Sequence, residues 1–129
     1  MRRLTWMVAA AAFSLASCSD GMAPSGGGGG GGGGPAALVI VGNNFFRSTH
    51  NGSQNDAVDT IAAGTSVKWA WNAAGSHSIQ STGTPGIFRN SVIMSGANDS
   101  YTVTFKNPGT YTYDCAVHGS AMTGRIVVQ

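Results

Sequence analysis

Gly109-Thr110-Tyr111-Thr112-Tyr113-Asp114-Cys115 reads as a β-strand, filled with aromatic and β-branched residues and started by the turn Asn107-Pro108-Gly109. Side chains alternate faces along a strand, so Tyr111, Tyr113 and Cys115 share one face and the thiol points inward with the aromatics. The same period-2 pattern appears twice upstream. Val67, Trp69 and Trp71 alternate with Lys68, Ala70 and Asn72, and Tyr101, Val103 and Phe105 alternate with Thr102, Thr104 and Lys106. Further β-rich runs fall at Leu38–Val41, Ala57–Ile61, Ser66–Trp71, His77–Gln80, Val92–Met94, Tyr101–Phe105 and Arg125–Val128. Turn signals separate them at Gly42-Asn43-Asn44, Ala63-Gly64 and Gly96-Ala97-Asn98-Asp99. No run keeps a helical period over a useful length. Seven or eight short strands at this spacing predict an all-β Greek-key sandwich over residues 36–129.

The residues ahead of that domain read differently. Met1-Arg2-Arg3 is a positive start, and Leu4 to Leu15 is mostly apolar. About a dozen apolar residues fall short of the roughly 20 that a bilayer span needs, so 1–17 is expected to be a cleaved export signal. Leu15-Ala16-Ser17-Cys18 resembles the lipobox of bacterial lipoproteins, in which the cysteine is acylated and becomes the new N-terminus. Residues 18–35 are then a lipid-bearing Cys18 and a tether with an unbroken Gly26–Gly34 run. A flexible coil of that length reaches roughly 20–25 Å.

Charge excludes several classes of partner. Of seven Lys and Arg, Arg2 and Arg3 belong to the signal, which leaves five against five acidic residues, all of them Asp. A domain that is formally neutral and sparsely charged has no basic patch for nucleic acid and little long-range steering. With Cys18 assigned to the anchor, Cys115 is unpaired in an oxidising compartment, where a bound metal would protect it.

Three further side chains gather around that thiol in sequence. His118 follows Cys115 after two residues, Met122 comes after three more, and His77 lies in the turn beyond the Trp69–Trp71 strand. Singly, each is more often a structural residue. Together, a thiolate and two imidazoles form a trigonal plane and a thioether a weak axial ligand, the donor set of a mononuclear type 1 copper centre. His50, in Arg47-Ser48-Thr49-His50-Asn51-Gly52, reads as a solvated loop residue, and Met94 as core.

The domain also resembles the cupredoxins, the small blue copper proteins, in particular the plastocyanin, pseudoazurin and amicyanin group. The residues that carry the likeness are Gly64-Thr65-Ser66-Val67-Lys68-Trp69, His77-Ser78-Ile79, Tyr101-Thr102-Val103-Thr104-Phe105, and Asn107 to Cys115 with His118. The resemblance implies His77, Cys115 and His118 as equatorial copper ligands and Met122 as the axial one. It also places the Ser78 backbone N–H near the cysteine sulfur. The three residues between His118 and Met122 make a loop intermediate between the amicyanin-like and plastocyanin-like lengths.

A copper without an open coordination position argues against catalysis and a small-molecule substrate. The expected role is electron transfer between redox proteins that dock near His118, on a protein exported and held to a bacterial membrane by its lipid. Two other classes compete. A copper-handling protein would often carry extra Met or His clusters, which this chain lacks, and a metal-free β-sandwich interaction module would be expected to have lost a ligand.

Overall fold

The computed structural model describes residues 34–84 and 86–129. The export signal over 1–17, Cys18 and the tether as far as residue 33 lie outside the described residues. Eight strands run in the order β1 (Ala37–Gly42), β2 (Phe45–Ser48), β3 (Ala57–Ile61), β4 (Thr65–Trp71), β5 (Gln80–Ser81), β6 (Ser100–Phe105), β7 (Gly109–Cys115) and β8 (Gly119–Val128). They form two four-stranded sheets, β2-β1-β4-β6 and β3-β8-β7-β5, and no helix occurs among the described residues. The expected all-β sandwich is therefore the fold. Most neighbours are antiparallel, but β1 lies parallel to β4 and β3 parallel to β8.

The alternation in sequence becomes the inner faces. Val67, Trp69 and Trp71 of β4 are buried, as are Tyr113 and Cys115 of β7, and Ile126 and Val128 of β8. Trp69 occupies the middle, stacked on Phe88 at 5.9 Å between ring centroids and edge-on to Tyr113 at 5.3 Å. Truncating such a fully buried indole to alanine typically costs about 3–5 kcal/mol, enough for Trp69→Ala to unseat the core.

Four elements differ from the sequence reading, the first being β8, which begins at Gly119 and not at Arg125, so that Met122 lies within the strand. β2 was not expected, because only Phe45 and Phe46 are apolar before the polar run begins at Arg47. Asn43-Asn44 makes a two-residue hairpin turn in which Asn44 takes the left-handed conformation (φ 60°), and β2 then pairs with β1 as an edge strand. His77–Gln80 and Val92–Met94 are not strands over their whole length; β5 is only Gln80–Ser81, and His77 and Met94 form an isolated bridge. Side chains replace the missing ladder bonds: the Ile79 amide donates to Ser91 Oγ (2.9 Å) and the Ser81 amide to Asn90 Oδ1 (2.8 Å). These side-chain bonds add to backbone ones between the same segments, such as the Ser91 amide to the Ile79 carbonyl (2.9 Å), where no regular sheet forms.

Candidate metal centre

Cys115 ends β7 and is fully buried. Up to Asp114 the β7–β8 register is regular, with Asp114 opposite Thr123, but Cys115 faces Gly119. The residues between are absorbed where the ladder shifts. The His118 amide donates to the Cys115 carbonyl (3.1 Å), the Ala121 amide to the His118 carbonyl (3.3 Å), and Gly119 supplies the left-handed backbone (φ 53°) that the turn requires. The loop folds His118 back until its Nδ1 lies 3.4 Å from Cys115 Sγ.

His77 arrives from the other side. Its amide donates to the Met94 carbonyl (3.0 Å) and its carbonyl accepts from the Met94 amide (2.9 Å). This clamp aims the imidazole so that Nδ1 is 3.9 Å from Cys115 Sγ, and the two imidazole rings lie 4.8 Å apart between centroids. The Ser78 amide donates to the same sulfur at 3.5 Å. The Ser78 hydroxyl accepts from the Ala116 amide at 3.0 Å and so ties the His77 segment to the Cys115 loop. Met122 is buried in the apolar cluster that also contains Cys115. His50 is exposed.

Electrostatics keep the site ready for a metal. Burial, and secondarily the nearby His118, hold the His77 imidazole below its ordinary pKa. At neutral pH it is therefore uncharged, with a lone pair to donate. Its Nε2 is buried without a hydrogen-bond partner, beside Gly75, where a Cβ would come within 3.0 Å of that nitrogen.

The donors match an ion in spacing and in chemistry. An ion about 2.3 Å from sulfur and about 2.0 Å from an imidazole nitrogen, at angles of roughly 100–130°, separates the two donors by roughly 3.3–3.9 Å. The observed 3.4 and 3.9 Å fall in that range. One donor atom each from His77, Cys115 and His118 lies within 4.8 Å of the others, the one such group of His, Cys, Asp or Glu among the described residues. A soft thiolate with two imidazoles and a thioether close by in the chain suits copper.

The sequence reading brought His77, Cys115 and His118 together, and the structure does the same. It missed the Ser78 hydroxyl and the backbone clamp from Met94. The hydroxyl beside His77 was visible in the sequence, but its partner is 38 residues away.

Comparison with known proteins agrees with this geometry. Residues 54–129 match the family model of copper binding proteins of the plastocyanin/azurin family. The chain is 33% identical over 88 residues to a chloroplastic plastocyanin of Tetradesmus obliquus, covering 57% of this chain and 56% of the relative. It is 36% identical over 70 residues to amicyanin-alpha of Methylorubrum extorquens, covering 54% and 58%. The match thus spans little more than half the length of either relative. Among solved structures, a purple cupredoxin from Nitrosopumilus maritimus superposes with a TM-score of 0.57 at 26% identity, covering 72% of this chain and 99% of that one. With the fold, the donor set and these matches in agreement, the chain belongs to the plastocyanin/azurin family of copper-binding proteins, the cupredoxins.

Proposed function

We propose that this protein is an exported, lipid-anchored carrier of single electrons, with His77, Cys115 and His118 as equatorial copper ligands and Met122 as the axial one. The observation that carries the reading is the convergence of one thiol and two imidazole Nδ1 atoms in a buried cluster of which only His118 is half-exposed. Bound copper supplies a Cu(II)/Cu(I) couple. The chain's own residues keep the donors in place: the Met94 clamp fixes His77, the Ser78 amide faces the sulfur, and the two turns of the loop hold His118.

Around His118 the exposed residues are Ala116, Val117, Ser120 and Ala121, small and uncharged. A redox partner can come close to the imidazole edge there, and its docking would depend only weakly on salt. A cavity of about 450 Å³ between Thr84, Gly86 and Asn107 to Tyr111 opens at the start of β7, the opposite end of that strand from Cys115. Domain limits follow the sequence: signal 1–17, lipidated Cys18 and tether 18–35, copper domain 36–129.

The deciding experiment is a visible spectrum of the full chain after Cu(II) and then ascorbate. An intense thiolate-to-copper band that bleaches on reduction and returns on oxidation is expected. A colourless copper-loaded protein would overturn the electron-carrier reading in favour of copper handling, and failure to bind copper would favour an interaction module.

A further inference from the structure

The chain leaves β4 after Trp71 and returns to the metal centre through Asn72-Ala73-Ala74-Gly75-Ser76. Gly75 meets the first ligand there. A Cβ at position 75 would lie 3.0 Å from His77 Nε2, 3.6 Å from its Cδ2 and 4.0 Å from its Cε1. The nitrogen is nearest and the ring carbons on either side of it are farther, so the contact is made with the tip of the imidazole. A bare Cα fits in that gap, whereas a methyl would force the ring to give by a few tenths of an ångström. Gly75 also has a φ of 151°, a backbone conformation that residues with a side chain rarely adopt.

Both sides of this contact are held by the same frame. The Gly75 amide donates to the Ser95 carbonyl (3.3 Å), and the His77 and Met94 main chains exchange bonds of 3.0 and 2.9 Å. Residues 75–77 are thus tied to 94–95, which fixes both Gly75 and the root of the imidazole. Nδ1 of the same ring lies 3.9 Å from Cys115 Sγ, and His77 as a whole is 1% exposed. A metal-bound imidazole ordinarily donates its other ring N–H to a carboxylate, a carbonyl or water, and that bond orients the ring. No protein group among the described residues accepts from His77 Nε2. What bears on that end of the ring is Gly75.

We propose that Gly75 is a positioning residue of the copper site: its bare Cα is the stop against which the His77 imidazole rests, and it sets the reach of Nδ1 toward the metal. The inference rests on the copper reading above. An ion bound to both Nδ1 and Sγ holds those atoms roughly 3.3–3.9 Å apart, and the observed 3.9 Å stands at the long limit. A displacement of a few tenths of an ångström is comparable to that whole window. Gly75→Ala therefore alters the ligand geometry. A glycine required only for its backbone conformation would leave that geometry unchanged.

Gly75→Ala and Gly64→Ala in the full chain separate the two roles. Gly64 also has a positive φ (84°), but a Cβ there would meet nothing within 4 Å. Both variants are expected to melt earlier than the parent in the metal-free form. Only Gly75→Ala is expected to shift the thiolate-to-copper band and the Cu(II) EPR hyperfine splitting, and to bind copper about tenfold more weakly. A Gly75→Ala protein with the parent's band, splitting and affinity would overturn the proposal and leave Gly75 a turn residue. If Gly75→Ala does not fold, NMR of the metal-free parent decides. NOEs from the Gly75 Hα protons to the His77 ring protons Hδ2 and Hε1 are expected, and their absence sinks the contact. A parent without a thiolate-to-copper band would sink the copper reading and this inference with it, whereas a coloured parent with an unchanged Gly75→Ala sinks the inference alone.

Discussion

The main-chain amide of Ser78 donates to the sulfur of Cys115 across 3.5 Å, joining residues 37 positions apart. Because Ser78 follows His77, one short segment brings both an imidazole and a hydrogen-bond donor to the thiol. A donor aimed at a thiolate draws charge away from it, which weakens its donation to a bound metal and favours the reduced ion.

Removing that amide should lower the reduction potential. Ser78→Pro deletes the N–H and leaves His77 in the chain. About 1 kcal/mol of lost preferential bonding corresponds to roughly 40 mV for a one-electron couple. Protein-film voltammetry reads the change, and a potential equal to the parent's would show that the amide does not tune the site.

Met122 has two roles to separate, core filler and axial donor. Met122→Leu keeps the apolar volume at a fully buried position, so the metal-free protein should lose less than about 1.5 kcal/mol. If the thioether coordinates, its loss removes a donor that stabilises Cu(II), and the potential rises while the visible band shifts. Unchanged colour and potential alongside unchanged stability would assign Met122 to the core alone.

Asp59 gives a pH dependence with a definite sign. Burial raises its carboxyl pKa above the ordinary value, with the Ser48 hydrogen bond and the His50 charge acting the other way. A raised acid holds its proton more tightly in the fold than in the unfolded chain. Its stabilising contribution is complete below the ordinary carboxylate pKa of about 3.9 and is lost as pH rises through the raised value. Melting temperatures measured from about pH 4 to 7 should therefore decline more in the parent than in Asp59→Asn, which cannot ionise. Parallel curves would contradict the assignment.

Cys18 is expected to carry the lipid. In a bacterial host, labelled fatty acid should enter the parent and not Cys18→Ala, and the variant should move from the membrane to the soluble fraction. Equal labelling of both would rule out Cys18 as the acylated residue.

The core strand β4 and the strand β7 that delivers Cys115 were the most legible part of the sequence. β4 and β7 each bury one clean face, so alternation alone located Trp69, Trp71, Tyr113 and Cys115. Ligand candidates clustered within eight residues were equally visible, because a metal needs unlike donors close together. β2 was hidden by its shortness and polar second half, and the His77–Met94 pairing by being a single isolated bridge.

β8 is flanked by β3 on one side and β7 on the other, and its parallel partner β3 lies some sixty residues earlier. As the chain is made, β3 therefore waits without a neighbour until nearly the whole domain has been synthesised. Closing so long a loop is entropically slow, and sheets dominated by such distant pairings fold late. The same last-made strand carries Met122 and faces Cys115 through Gly119, so the pocket for the ion is completed only in that final closure. The metal site therefore depends on the most distant strand pairing of the fold, and docking of β8 and assembly of the ligand set are one event.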